Sequence, residues 1–257
     1  MGIINTSPDS FYEASRKIQQ EDIAAQAGQM LAEGADILDI GGYSSRPGAK
    51  NISVQEELDR VIPAITSIKN KYPEATISID TFRAKVAQEA VNAGAAIIND
   101  ISGGQLDEAM FATVARLKVP YIIMHMRGTP QNMQQHTYYK NIVEDIVDFF
   151  AVRLNQLRML GVKDIVVDPG FGFAKTPEQN FKLLKNLAAF RVLQAPVLVG
   201  LSRKSTIYKT LNITAAEALN GTTVLNTLAL MQGTAILRVH DVKAAKEAIT
   251  LVTKTLG

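Results

Sequence analysis

Eight short apolar runs divide this chain, and each closes on polar or charged residues. In order the closures are Asn5, Asp39, Asp80, Asn99-Asp100, His125, Asp168, Ser202-Arg203-Lys204 and Arg238-Val-His240. A helical pattern follows each run. Strands of a parallel sheet are covered on both faces and read as unbroken Val/Ile/Leu, so the polar endings are what require explanation. In a (β/α)8 TIM barrel the carboxyl ends of all eight strands surround one pocket, and functional groups come from several of them. An α/β chain folded in this way would face one cavity with acids, amides, arginines, a lysine and a histidine. The alternative, an open doubly wound sheet, usually carries a glycine-rich phosphate loop after its first strand. Here that loop reads Asn5-Thr6-Ser7-Pro8-Asp9-Ser10-Phe11, without glycine.

Length and charge support one barrel domain over 1–257. The 257 residues match the usual size of such a barrel, and 47% hydrophobic with 20% charged residues is ordinary globular composition. A net charge of +2 with few aromatics argues against nucleic acid as a partner. Cysteine is absent, which removes disulfides and thiolate metal sites and suits a cytoplasmic enzyme. No run approaches the roughly 18 apolar residues of a membrane helix, and none forms a signal-peptide core. Met1-Gly2-Ile3-Ile4-Asn5-Thr6 matches a myristoylation pattern, but these residues read better as strand 1.

Periodicity places helices at 21–34, 55–69, 83–93, 106–117, 141–160, 215–232 and 241–254. Strands fall at 36–40, 76–80, 96–100, 121–125, 164–168, 196–201 and 234–239. Thr176-Pro177-Glu178 reads as a helix cap with proline at the first helical position. The polar, glutamine-rich stretch 127–140 predicts a long loop over the barrel mouth.

Three constellations carry chemistry. In Asp168-Pro169-Gly170-Phe171-Gly172-Phe173, proline and two glycines set a turn that holds a carboxylate at a strand end. Such a group can accept two N–H donors from a guanidine-like heterocycle edge, although it could equally cap the next helix. Asp80 and Asn99 end neighbouring strands and need buried polar partners, either each other or a ligand. Ser202-Arg203-Lys204-Ser205 and Arg238-Val239-His240 put cations after strands 7 and 8, where these barrels often bind phosphate. Arg238 and His240 are two apart and so share a face. His125, between Met124 and Met126, is at least as consistent with a structural role as with a catalytic one. No histidine pair has metal-ligand spacing, while Mg2+ held through oxygen ligands remains open.

In this order, over essentially the whole chain, the motifs resemble the dihydropteroate synthase family of pterin-binding barrels. The matching segments are Met1–Phe11, Asp39–Gly42 with Ser45–Gly48, Ile79–Thr81, Asn99–Ile101, Met124–Met126, Asp168–Phe173, Gly200–Ser205 and Arg238–Asp241. The resemblance implies that Asp80, Asn99, Asp168 and Lys204 hold the pterin and carry the catalysis, with Met124 and Phe173 lining the pocket. It assigns Asn5, Arg46, Arg238 and His240 to the diphosphate, with Asn5 also near Mg2+. It assigns Phe11, Ser45, Pro47, Arg203 and Ser205 to p-aminobenzoate, and implies sulfonamides as competitors and a homodimer. The implied reaction joins 6-hydroxymethyl-7,8-dihydropterin diphosphate to p-aminobenzoate and releases pyrophosphate.

The chain departs from the family pattern at Tyr43, where Glu is usual, at Ser45, where Thr is usual, and at Tyr12–Lys17, which replaces an Asp-Gly-Gly stretch. These departures bear on the loops after strands 1 and 2 and on p-aminobenzoate contacts, not on the pterin residues. Two other activities fit the same barrel: a methyltetrahydrofolate-dependent corrinoid methyltransferase and a non-catalytic pterin-binding protein. The former has no diphosphate to bind, so the cationic groups after strands 7 and 8 speak against it.

Overall fold

The computed structural model describes residues 1–6, 13–44 and 51–257, with 13–20 described as helix only. Six strands, β1 (Gly2–Asn5), β2 (Leu38–Gly41), β3 (Ile77–Asp80), β4 (Ile97–Asp100), β5 (Tyr121–Met124) and β6 (Ile165–Asp168), pair in parallel in chain order. The short strands β7 (Leu198–Val199) and β8 (Ile236–Leu237) pair with each other. Single bridges join Val167 to Val197 and Gly2 to Val239, with Val239 N–H donating to the Met1 carbonyl at 2.9 Å. These links close a (β/α)8 barrel.

Around it lie α1 (Glu13–Ala32), α2 (Val54–Lys71), α3 (Ala84–Asn92), α4 (Met110–Leu117), α5 (Ile142–Met159), α6 (Pro177–Lys185), α7 (Ser205–Leu211), α8 (Leu219–Met231) and α9 (Val242–Leu256). Thr176 caps α6 with Pro177 in the first turn, as expected, and does so through a reciprocal pair with Gln179. None of the described helices is long and apolar enough to cross a membrane.

Alternation sorts each strand into two faces. Outward side chains such as Ile40, Ile79, Ile98, Ile123 and Val167 enter the main core. Inward, Ile37, Ile97, Ile122, Val166, Leu198 and Ile236 gather with Met1 into a separate apolar plug. One inward position further on, the residues become Asp39, Ser78, Asn99, Met124, Asp168, Gly200 and Arg238. The barrel is thus dry at its floor and polar from mid-height to mouth.

Several expectations need correction. Helix α1 begins at Glu13 rather than 21, and α8 at Leu219 rather than 215. The closing strands are shorter than 196–201 and 234–239, because their outer residues make bridges rather than a continuous ladder. Helix α4 begins at Met110 rather than 106: Asp100 takes the Ser102 and Gly104 N–H groups at 2.7 and 2.8 Å, and Asp107 caps both its own turn and Ala84. Helix α7 was not expected at all. It is seven residues long and ends on Asn212 in the left-handed conformation, too short to leave a clear period.

One buried acid ties α2 to the end of β3. Glu57, fully buried, accepts from Thr81 Oγ1 at 2.7 Å and Arg83 Nη1 at 2.8 Å, and Arg83 also donates to the carbonyls of Ile52 and Ser53. Removing the carboxylate strands a part-buried guanidinium. Glu57→Ala is therefore expected to cost about 3 kcal/mol or more in urea unfolding; a loss below about 1 kcal/mol would show that the cluster is dispensable.

Candidate active site

The polar tier is organised by Arg238, which reaches from beyond β8 across the barrel. Its Nε donates to Asp39 Oδ2 and its Nη2 to Asp80 Oδ2, both at 2.6 Å. Asn99 Nδ2 donates to the same Asp39 oxygen at 3.0 Å. Residues from β2, β3, β4 and the β8 end thereby form one charge-assisted network. Burial opposes the Arg238 charge, but Asp39 and Asp80 outweigh it and hold its pKa above the ordinary arginine value. Burial pushes the Asp80 carboxyl up to about 7, against the pull of Arg238. Asp39 Oδ1 is buried and has no hydrogen-bond partner among the described residues.

Across the mouth stands Asp168, whose Oδ1 accepts the Gly170 N–H at 2.8 Å. Burial raises its pKa, and Lys204 opposes that rise. Burial lowers the Lys204 amine to about 8, with Asp168 pulling the other way. Lys204 Nζ donates to the Phe171 carbonyl and lies 4.8 Å from the centre of the Phe173 ring. Met124 and Phe173 belong to a second apolar cluster with Ile101, Met126, Met133 and Ala174. One wall of the pocket is therefore apolar and faces a floor of acids.

The remaining groups stand higher. Asn5 is exposed at the end of β1. Ser202 Oγ accepts the His240 backbone N–H at 3.1 Å and lies 3.0 Å from His240 Nδ1. If the hydroxyl donates to Nδ1, Nε2 carries the ring proton. Arg203 grips Asp241 with two bonds, at 2.9 and 2.8 Å, and takes the Ala215 carbonyl at 3.0 Å. Its guanidinium thus ties the β7 loop to the end of β8, and Ser205 opens α7 beside it. Phe11, Ser45, Arg46 and Pro47 lie outside the described residues. The loop at 127–140 contains a 3-10 turn, Met133–Gln135, and crosses the mouth as expected, with Gln131 Nε2 at 2.6 Å from Tyr43 Oη.

Among the described residues the structure gathers Asp80, Asn99, Met124, Asp168, Phe173, Lys204 and Arg238 at one level. Sequence reasoning missed Lys175, only 3% exposed and wedged behind the Asp168 loop. Its one signal was a lysine directly before the Thr176-Pro177 cap, a position that solvates as readily as it buries. His125 is 1% exposed, packs on Phe149 and is a structural residue.

The family model described as pterin binding enzyme matches residues 1–240. The dihydropteroate synthase of Haemophilus influenzae is 41% identical over 251 residues, 97% of this chain and 90% of that protein. The chain belongs to the dihydropteroate synthases. That of Synechocystis is 44% identical, over 95% of this chain and 85% of that protein. The Yersinia pestis dihydropteroate synthase, solved with a sulfonamide drug complex, superposes with a TM-score of 0.93 at 38% identity, covering 100% of this chain and 93% of that one. The Xanthomonas albilineans dihydropteroate synthase, solved with 4-aminobenzoic acid, gives 0.91 at 36%, over 100% and 92%.

For a dihydropteroate synthase, the polar tier must stay assembled before any ligand arrives, and Arg238 is what assembles it. Arg238→Leu is expected to destabilise the fold by about 3–5 kcal/mol at about pH 8, because Asp39 and Asp80 are left as unpaired buried anions. A carboxyl with a raised pKa loses its burden once protonated, so the loss should shrink clearly at about pH 5.5. Urea titrations at both pH values measure this; an equal loss at both would contradict the network.

Proposed function

We propose that the barrel mouth performs the synthase reaction as follows. It joins 6-hydroxymethyl-7,8-dihydropterin diphosphate to p-aminobenzoate, giving 7,8-dihydropteroate and pyrophosphate. The observation that carries the reading is charge. With Asp80 in its ionised form, above about pH 7, the carboxylates of Asp39, Asp80 and Asp168 stand against Arg238 and Lys204, which leaves one negative charge in excess inside a low-dielectric cavity. Such a floor favours a ligand that becomes cationic. When the C–O bond breaks, the bonding pair leaves with pyrophosphate and a pterin-methylene cation remains. The arylamine nitrogen then attacks the methylene carbon and releases its proton.

Asp168 accepts the N–H donors of the pterin edge, Asn99 and Asp80 meet its other side, and Lys204 donates to a ring heteroatom. Met124 and Phe173 cover the ring faces. The orphaned Asp39 Oδ1 supplies a further buried acceptor near the same edge. The diphosphate is held at the rim by Asn5, Arg46, Arg238 and the Nε2–H of His240. Burial and then Arg238 lower the His240 pKa, so this donor is neutral. Phe11, Ser45, Pro47, Arg203 and Ser205 form the p-aminobenzoate side, where sulfonamides compete.

No group of three or more His, Cys, Asp or Glu among the described residues is placed to hold a metal ion. Mg2+ keeps its water and takes few protein ligands when phosphates are present. Asn5 is the protein ligand we assign, and the ion would neutralise charge on the leaving diphosphate. We also propose one barrel domain over 1–257, a cytoplasmic location and a homodimer. Val224, Leu228 and Met231, all exposed, recur at helical spacing along α8 and offer an apolar face to a second copy.

Purified protein given both substrates with Mg2+ should release pyrophosphate only when p-aminobenzoate is present; absence of product would reject the reading. Lys204→Ala and Asp168→Asn should each lose most activity, since each leaves a buried partner unpaired, and near-normal turnover in either would remove that residue from the mechanism. The ionised form of Asp80 is the one that pairs with Arg238 and accepts from pterin. Its pKa of about 7 means that kcat/KM for the pterin substrate should fall as pH drops from about 8 to about 6. Asp80→Asn should be slower and flat over that range; an unchanged slope would assign the titration elsewhere.

A further inference from the structure

Behind the Asp168 loop, on the side away from the pocket, lies a buried amine that the mechanism above does not use. Lys175 Nζ stands 2.9 Å from the Gly170 carbonyl, 2.9 Å from the Phe173 carbonyl, 3.4 Å from the His125 carbonyl and 3.1 Å from His125 Nδ1. Lysine is among the residues least often fully buried, and an apolar side chain would fill this volume without the desolvation cost of an ammonium. The fold retains the amine where three of its four acceptors are backbone oxygens, two of them in the loop that shapes the pocket.

The loop itself leaves little slack. Gly170 has φ +73°, and a Cβ there would lie 2.1 Å from the His125 oxygen, so the loop is pressed onto the end of β5. The Gly170 N–H donates to Asp168 Oδ1 while its carbonyl accepts from Lys175, which fixes both peptide groups flanking that residue. The Phe173 carbonyl accepts from the same amine, and its ring lies beneath Lys204. The pterin carboxylate and the pterin-stacking ring therefore share one anchor.

We infer that Lys175 is a positioning residue: it aims the Asp168 carboxylate and the Phe173 ring at the pterin by clamping the Gly170 and Phe173 carbonyls to His125. This inference rests on the reading of the barrel mouth as the pterin site. Burial lowers the Lys175 pKa well below the ordinary lysine value, with Asp168 pulling the other way; with the amine donating to His125 Nδ1, that atom is the acceptor and Nε2 carries the ring proton. Burial first, and then Lys175, lower the His125 pKa well below the ordinary value, so the ring stays a neutral partner. Of the residues assigned to p-aminobenzoate, the described ones, Arg203 and Ser205, share no hydrogen bond with Lys175 or His125.

The test compares wild type, Asp168→Asn and Lys175→Met. Binding of 6-hydroxymethylpterin is read by fluorescence titration, and the KM of each substrate by steady-state kinetics. Lys175→Met should weaken pterin binding at least about tenfold while leaving the KM for p-aminobenzoate within about twofold. Unchanged pterin affinity, or equal damage to both substrates, would overturn the inference. A wild type that binds no pterin would instead reject the site reading on which it rests; wild-type binding that Asp168→Asn abolishes confirms that reading separately. Should Lys175→Met fail to fold, wild-type protein labelled with 15N-histidine decides. The His125 Nδ1 signal should be that of an unprotonated acceptor and should move on pterin addition; a protonated Nδ1, or no movement, would overturn the inference.

Discussion

The pairing of Arg238 with Asp39 and Asp80 is the constraint on which the mouth of this barrel depends. Without it, carboxylates from β2 and β3 would face each other above the apolar plug with no cation paired to either. With it, one guanidinium from the β8 end satisfies two acids, and Asn99 of β4 joins through the same Asp39 oxygen. Four strand ends are thereby held in register by polar contacts as well as by the parallel ladder. The arrangement also leaves negative charge in excess over positive charge. A barrel that needed stability alone would gain more from apolar residues at this level; one that must stabilise a developing cation gains from an acidic surplus.

The same network limits what Arg238 can do elsewhere. From sequence alone Arg238 belongs with the cations that meet the diphosphate, and its spacing from His240 puts both on one face. In the structure Nε and Nη2 are committed to acids before any substrate arrives. On the proposed reading the residue therefore stands at the boundary between the pterin pocket and the diphosphate rim, and its charge serves both. Arg203 shows a similar commitment, to Asp241 and the 215–216 carbonyls, which makes it a brace of the β7 loop.

Much of this was legible in the sequence, for a definite reason. Parallel strands buried on two faces cannot hide a polar residue by chance, so Asp39, Asp80, Asn99, Asp168 and Arg238 announced themselves against Ile, Leu and Val. Helix existence was equally clear wherever a cap such as Thr176-Pro177 or a stop such as Gly34 bounded the period. What escaped notice lies where local pattern carries no information. The seven residues of α7 are too few to show a period, and the start of α4 is displaced by Asp100 and Asp107, which cap local turns that helical periodicity does not register, Asp107 also reaching Ala84. Lys175 has a sequence context indistinguishable from that of a solvated lysine; only the folded loop shows that His125, fifty residues earlier, receives it.

The most direct test of the central claim is a crystal structure of the protein with 6-hydroxymethyl-7,8-dihydropterin diphosphate bound. The account predicts the aminopyrimidine edge within about 3 Å of the Asp168 carboxylate. The ring should lie between the Met124 and Phe173 sides, and the diphosphate should extend past Arg238 toward His240 and Asn5. Arg238 should still be paired with Asp39 and Asp80 in that complex. A pterin seated away from Asp168, or an Arg238 that abandons both acids to reach the diphosphate, would contradict the division of the mouth into an acidic floor and a cationic rim.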